Sequence, residues 1–132
     1  MKTNLDNIYK TDSSMEKDGI WFAITDETQF LVRRFGGANA QKVKQATAKY
    51  YKPFARQVEN GTMSAEKEKE ILVRSFVESC LVDWKGVEIY GEEQKFEKEK
   101  AIELFCNLPD LFESIYEYAT ATSSYREDLG NS

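Results

Sequence analysis

The carboxylates of Glu92, Glu93, Glu97 and Glu99 crowd one short segment, and paired carboxylates of this kind serve acid/base catalysis or calcium binding. Here Lys95, Lys98 and Lys100 alternate with them, and the Asp-rich loop, turn glycine and terminal glutamate of a calcium site are missing. The pattern is that of a solvated, charge-balanced face. The 132-residue chain contains no histidine, which removes the commonest general base and the commonest metal ligand together. Ser13, Ser14, Ser75, Ser123 and Ser124 therefore have no imidazole to activate them. Gly36-Gly37 lacks the further glycines and the Lys-Ser/Thr pair of a phosphate loop. Cys80 and Cys106 lie in apolar, helical patterns without CxxC or Cys/His companions, and both read as reduced core thiols. The sequence thus nominates no catalytic, cofactor-binding or metal-binding residue, and the expectation is a protein that is not an enzyme.

The net charge of −5 argues against nucleic acid, because phosphate binding draws its affinity from clustered Lys and Arg. Arg33-Arg34, the one adjacent arginine pair, reads as the end of a strand. Residues 1–19 lack the apolar core of a signal peptide, and nowhere do about 18 apolar residues run together as a membrane span requires. No membrane partner is expected, and the expected location is the cytoplasm. With 41% hydrophobic and 31% charged residues, one soluble domain is the simplest organisation: a flexible leader over 1–19 and a single helical domain over 20–132.

The elements that must position any surface follow from periodicity. Ile20, Phe22 and Ile24 alternate with Trp21 and Ala23, and Phe30 and Val32 alternate with Leu31 and Arg33, so the two-residue period predicts a hairpin over 20–35. Asn39 is positioned to cap a helix carrying Val43, Ala46, Tyr50, Phe54 and Val58, with a break at Pro53 and an end at Asn60-Gly61. Ser64 caps a central helix in which Ile71, Leu72, Val73, Phe76, Val77, Cys80 and Leu81 leave only a narrow polar edge at Arg74 and Glu78. Asp83 to Val87 reads as a turn with at most one short strand, and Glu88 to Lys95 as a polar loop. Phe96 precedes a helix over 97–106, and Pro109 opens the last helix with Leu111, Phe112, Ile115, Tyr116 and Ala119. The fold class expected is mainly α, a small helical domain of four to five helices with one N-terminal β-hairpin.

Both faces of the hairpin carry large apolar groups, so one is left for a partner or for another copy, and a homo-oligomer stays open. The candidate partner-binding residues are Trp21, Phe22, Phe30 and Leu31 on the hairpin, then Tyr50, Tyr51 and Phe54 beside the Pro53 break.

A family resemblance rests on Leu81-Val82-Asp83-Trp84-Lys85-Gly86-Val87, on Phe96 opening a helix, on Asn107-Leu108-Pro109-Asp110-Leu111-Phe112, and on Tyr125-Arg126-Glu127 leading to Gly130-Asn131-Ser132. In this order they resemble the tail-assembly chaperones of long-tailed bacteriophages, best over residues 72–132. The resemblance implies a helical protein that binds the tape-measure protein in the host cytoplasm, keeps it soluble, helps tail-tube protein polymerise around it, and is absent from the mature virion. Within the motif Trp84, Gly86, Leu108, Pro109 and Asp110 are expected to be structural. The rival readings are a virion component, such as a tail-completion or head-tail connector protein, and a small host-directed binding protein.

Overall fold

In the computed structural model, which describes residues 1–126, strand β1 (Ile20–Ala23) runs antiparallel to β2 (Gln29–Val32) with Phe22 opposite Phe30. The expected hairpin is present. Side-chain alternation sends Ile20, Phe22, Phe30 and Val32 to one face and Trp21 and Leu31 to the other.

The hairpin does not stand alone, and here the expected fold class is corrected. Leu81, expected at the end of the central helix, and Asp83 to Lys85, expected in a turn with at most one short strand, together form a third strand, β3 (Leu81–Lys85), which pairs antiparallel with β2 and places Trp84 beside Phe30 and Asp83 beside Leu31. The polar stretch read as a loop holds a second, two-stranded sheet, β4 (Glu88–Ile89) and β5 (Glu92–Glu93). With two sheets embedded among the helices, the architecture is a small α+β domain, not a mainly α one with a single hairpin. The physical reason is burial. A lone hairpin cannot cover its own apolar face, whereas a central β2 flanked on both sides puts Phe30 and Val32 into a core closed by helices.

Seven α-helices occur among the described residues: α1 (Asp6–Tyr9), α2 (Ser13–Asp18), α3 (Ala40–Tyr51), α4 (Ala55–Asn60), α5 (Ala65–Ser79), α6 (Lys98–Asn107) and α7 (Pro109–Thr120). Helix α5 is the central one, as its apolar circumference predicted. Its start is fixed by the Ser64 hydroxyl, which accepts from the Lys67 amide at 3.1 Å. Its residues Val73, Phe76 and Val77 are buried, and the Phe76 ring meets Phe105 of α6 and Phe112 of α7 edge-on. Each such aromatic burial contributes about 1.5–3 kcal/mol. Pro53 breaks the chain into a 3-10 turn over Lys52–Phe54 between α3 and α4, and Gly61, at φ +68°, ends α4 in the left-handed region.

Three local expectations change. The stretch 1–19, read as a mobile leader, contains α1 and α2, and Glu16 within it is buried. Asp12 caps α2 by accepting from the Ser14 and Met15 amides. Asn39 does not cap α3. It is buried and its side-chain amide donates to the carbonyls of Arg34 and Ser79, both at 3.0 Å, tying the segment after β2 to the end of α5. Cys80 is a core thiol that burial pushes up to about 12, but Cys106 is exposed. Of the C-terminal motif, Glu127 and Gly130-Asn131-Ser132 lie outside the described residues. Tyr125 and Arg126 are described, and Arg126 donates to the carbonyls of Asn7 and Ile8.

Candidate partner-binding surface

The three-stranded sheet sorts the hairpin candidates by face. Phe30 is 1% exposed and meets Trp84 edge-on, so it belongs to the core and offers a partner almost no surface. Phe22 is half-buried, stacked on Tyr118 of α7 with ring centroids 4.3 Å apart. Trp21 and Leu31 sit opposite each other on the outer face, where Trp21 is 38% exposed and Lys85 Nζ lies 4.3 Å above its ring.

The second candidate group lies on helix α3 and the Pro53 break and is not on the sheet. The Tyr50 hydroxyl donates to Glu78 of α5 at 3.1 Å, and Lys49 donates to the same carboxylate at 2.8 Å. Burial first, then the Glu78 hydrogen bond, pushes the Tyr50 phenol up. Tyr51 is half-buried, and Phe54 lies beneath Lys67 Nζ at 5.1 Å. Tyr50 and Phe54 are thus partly absorbed by contacts with α5.

The motif residues act as the chain's geometry requires. The Trp84 indole donates to the Gln94 carbonyl at 2.8 Å and its ring meets Phe96 edge-on, which clamps the second sheet to the core. Gly86 has φ +69°, and a Cβ there would stand 1.9 Å from the Glu27 carbonyl oxygen. Pro109 occupies the first turn of α7, with Asp110 in the same turn near the positive end of the helix dipole. Leu108, just before that proline, has φ −124° and ψ 73° and is the cap residue between α6 and α7. It is 50% exposed.

Leu108 leads to a surface that sequence reasoning missed. Ile24, Phe30, Val87, Leu104, Leu108 and Leu111 line an open groove of about 870 Å³ between the β1–β2 turn, the β3–β4 corner and the α6–α7 junction. Glu27, Glu88 and Glu93 stand along its walls. A second hollow of about 430 Å³ shares Leu104 and adds Ile89, Tyr90 and Glu103. Tyr90 is 93% exposed, at φ +54° on the β4–β5 turn. The available signal was the Tyr90-Gly91 pair, since two successive residues with positive φ make the tight turn of a hairpin. The groove itself had no linear signal, because its apolar residues come from three separate segments.

Among the described residues, no group of three or more His, Cys, Asp or Glu side chains is placed to hold a metal ion, and no helix is long and apolar enough to cross a membrane. What the surface presents is apolar area with a carboxylate border. A family model described as YdaY prophage protein matches residues 38–130, most of the chain. The chain belongs to the YdaY prophage protein family. Membership gives this YdaY-family chain a phage origin, and the matched segment runs from the 3-10 turn before α3 through α7, so it includes β3, the second sheet and the α6–α7 junction. No curated protein and no solved structure matches the chain.

Proposed function

We propose that this YdaY-family protein is a phage tail-assembly chaperone, which binds the tape-measure protein in the host cytoplasm, keeps it soluble while tail-tube protein polymerises around it, and is left out of the mature virion. The observation that carries the reading is an open apolar groove on a chain of net charge −5, with Ile24 41% and Leu108 50% exposed beside it. An apolar groove masks the apolar stripe of a helical partner, and net negative charge keeps the resulting complex apart from its neighbours. Phage origin and the resemblance of the Trp84 to Asp110 motifs to tail-assembly chaperones support the same reading. The proposed role is binding, with no reaction, cofactor or nucleic acid involved.

The test is co-expression with the tape-measure protein of the same phage, followed by sizing of the soluble fraction. A soluble complex containing both chains is the expected result. Insoluble tape measure, with this chain eluting alone, would transfer the assignment to a virion component or a host-directed binder, and purified particles would distinguish those two. In the same assay Trp21→Ala combined with Tyr51→Ala reports whether the sheet face and the α3 end take part. Full solubilisation by that folded double variant removes both from the contact surface.

A further inference from the structure

We infer that the groove bounded by Ile24, Leu104, Leu108 and Leu111 receives an amphipathic helix whose apolar stripe is flanked by lysine and arginine. The inference rests on the chaperone reading in taking the partner to be helical, and it adds the contact surface and the charge of the segment that fills it.

The apolar floor sets the stripe. Leu104, Leu108 and Leu111 are spaced four and three residues apart across the α6–α7 junction, and Ile24 and Val87 face them from the sheet side. Leu108 caps α6 directly before Pro109, and its side chain is half exposed at that junction. Tyr90 extends the apolar wall at a left-handed backbone position that strains a bulky residue. At 93% exposure the ring recovers none of this by packing within the free chain.

The charges select the occupant. Glu27, Glu88 and Glu93 border the groove, and Glu92 and Glu103 border the adjoining hollow. None of these five takes part in an ion pair among the described residues. Elsewhere some carboxylates are matched, Glu16 with Arg34, Glu70 with Lys67 and Arg74, Glu78 with Lys49, while others such as Asp18, Glu59 and Glu117 take no ion pair among the described residues but stand outside the groove. The two cations on these walls are engaged, Lys85 over the Trp21 ring and Lys100 with Gln94 at 2.9 Å and Glu97 at 3.6 Å. What sets these five apart is their place, a cluster of open carboxylates bordering open apolar surface. A rim of this kind steers and selects a partner of opposite sign. A second copy of this chain is the wrong occupant, since it carries the same −5 and the same acidic border.

Two synthetic helical peptides of about 18 residues, or five turns, test the inference. They share one leucine stripe, flanked by lysine in one and glutamate in the other, and are titrated calorimetrically into the full chain at low and high salt. The lysine peptide is expected to bind at least tenfold tighter, with affinity falling as salt rises. Leu108→Asp, and separately Glu27→Lys with Glu88→Lys and Glu93→Lys, are each expected to weaken it at least tenfold. Reversal of Asp18, Glu59 and Glu117, which lie outside the groove, is expected to leave it unchanged, and melting curves confirm that each variant folds. Equal affinity for the two peptides, or undiminished binding by folded groove variants, overturns the inference. Co-expression separates it from the function: a groove-reversed variant that still solubilises the tape measure sinks the groove and leaves the chaperone standing. Failure by the wild-type chain, with selective binding of the lysine peptide intact, does the opposite.

Discussion

The Tyr125 hydroxyl donates to the carbonyl of Val32 at 3.0 Å, joining residues 93 apart in sequence. Tyr125 follows α7 and is fully buried, and Val32 is the last residue of the central strand, so this bond fastens the end of the described chain to the middle of the sheet. Burial pushes the phenol well above its ordinary value, which keeps the hydroxyl protonated as a donor. Tyr125→Phe keeps the ring and removes the donor from a buried carbonyl. The expected loss is about 1–3 kcal/mol, measured as a lower denaturation midpoint in urea with unchanged slope.

Glu16 gives the protein an acid-sensitive joint. Burial alone pushes its carboxyl up, but hydrogen bonds from Arg34 and from the Ala38 amide outweigh it and leave the group below its ordinary value of 4.5. A carboxyl that is more acidic folded than unfolded stabilises fully above the unfolded value and loses that contribution as pH falls through the folded one. Stability of the wild type is therefore expected to decline below about pH 4.5, and Glu16→Gln to be less stable at neutral pH with a shallower acid limb. Thermal melts across that range check the slope.

Gly86 joins the sheet's corner to the β1–β2 turn. Thr28 Oγ1 donates to its carbonyl at 2.6 Å, and its Cα faces the Glu27 carbonyl with no room for a side chain. Gly86→Ala meets both a left-handed backbone and a backbone clash. A loss of at least about 1–3 kcal/mol is expected, and Thr28→Val, which removes the bond without the clash, is expected to cost less. Paired urea titrations rank the two.

Tyr90 is expected to show stability and binding moving in opposite directions. Asn adopts the left-handed region more readily than a bulky aromatic residue, so Tyr90→Asn should raise the melting temperature, by an amount corresponding to roughly 1 kcal/mol. The same variant removes the exposed ring beside the groove and is expected to bind the lysine-flanked peptide several-fold more weakly. A variant with unchanged melting and unchanged affinity would remove Tyr90 from the argument.

Local physics made much of this chain legible in advance. The two-residue period of Ile20 to Val32, the Ser64 cap, the Pro53 break, the Gly61 terminus and Pro109 at a helix start are each decided by neighbours within a few residues, and each stands where the sequence placed it. The apolar circumference of α5 marked it as central for the same reason. The absence of histidine was equally readable, and it removes the commonest general base whatever the fold.

What tertiary structure alone decided were matters of pairing. Leu81-Val82-Asp83-Trp84-Lys85 carries no signal that distinguishes a turn from a strand; it is a strand because β2 offers an open edge and Trp84 meets Phe30 across it. Phe30 and Trp21 look alike as exposed-face candidates until β3 and the helices cover one face of the sheet and leave the other. The groove of Ile24, Val87, Leu104, Leu108 and Leu111 has no sequence signature, because its walls come from segments far apart in the chain. Periodicity reports the bonds a residue makes with its own element, whereas a surface between elements exists only once long-range packing has fixed where each one lies.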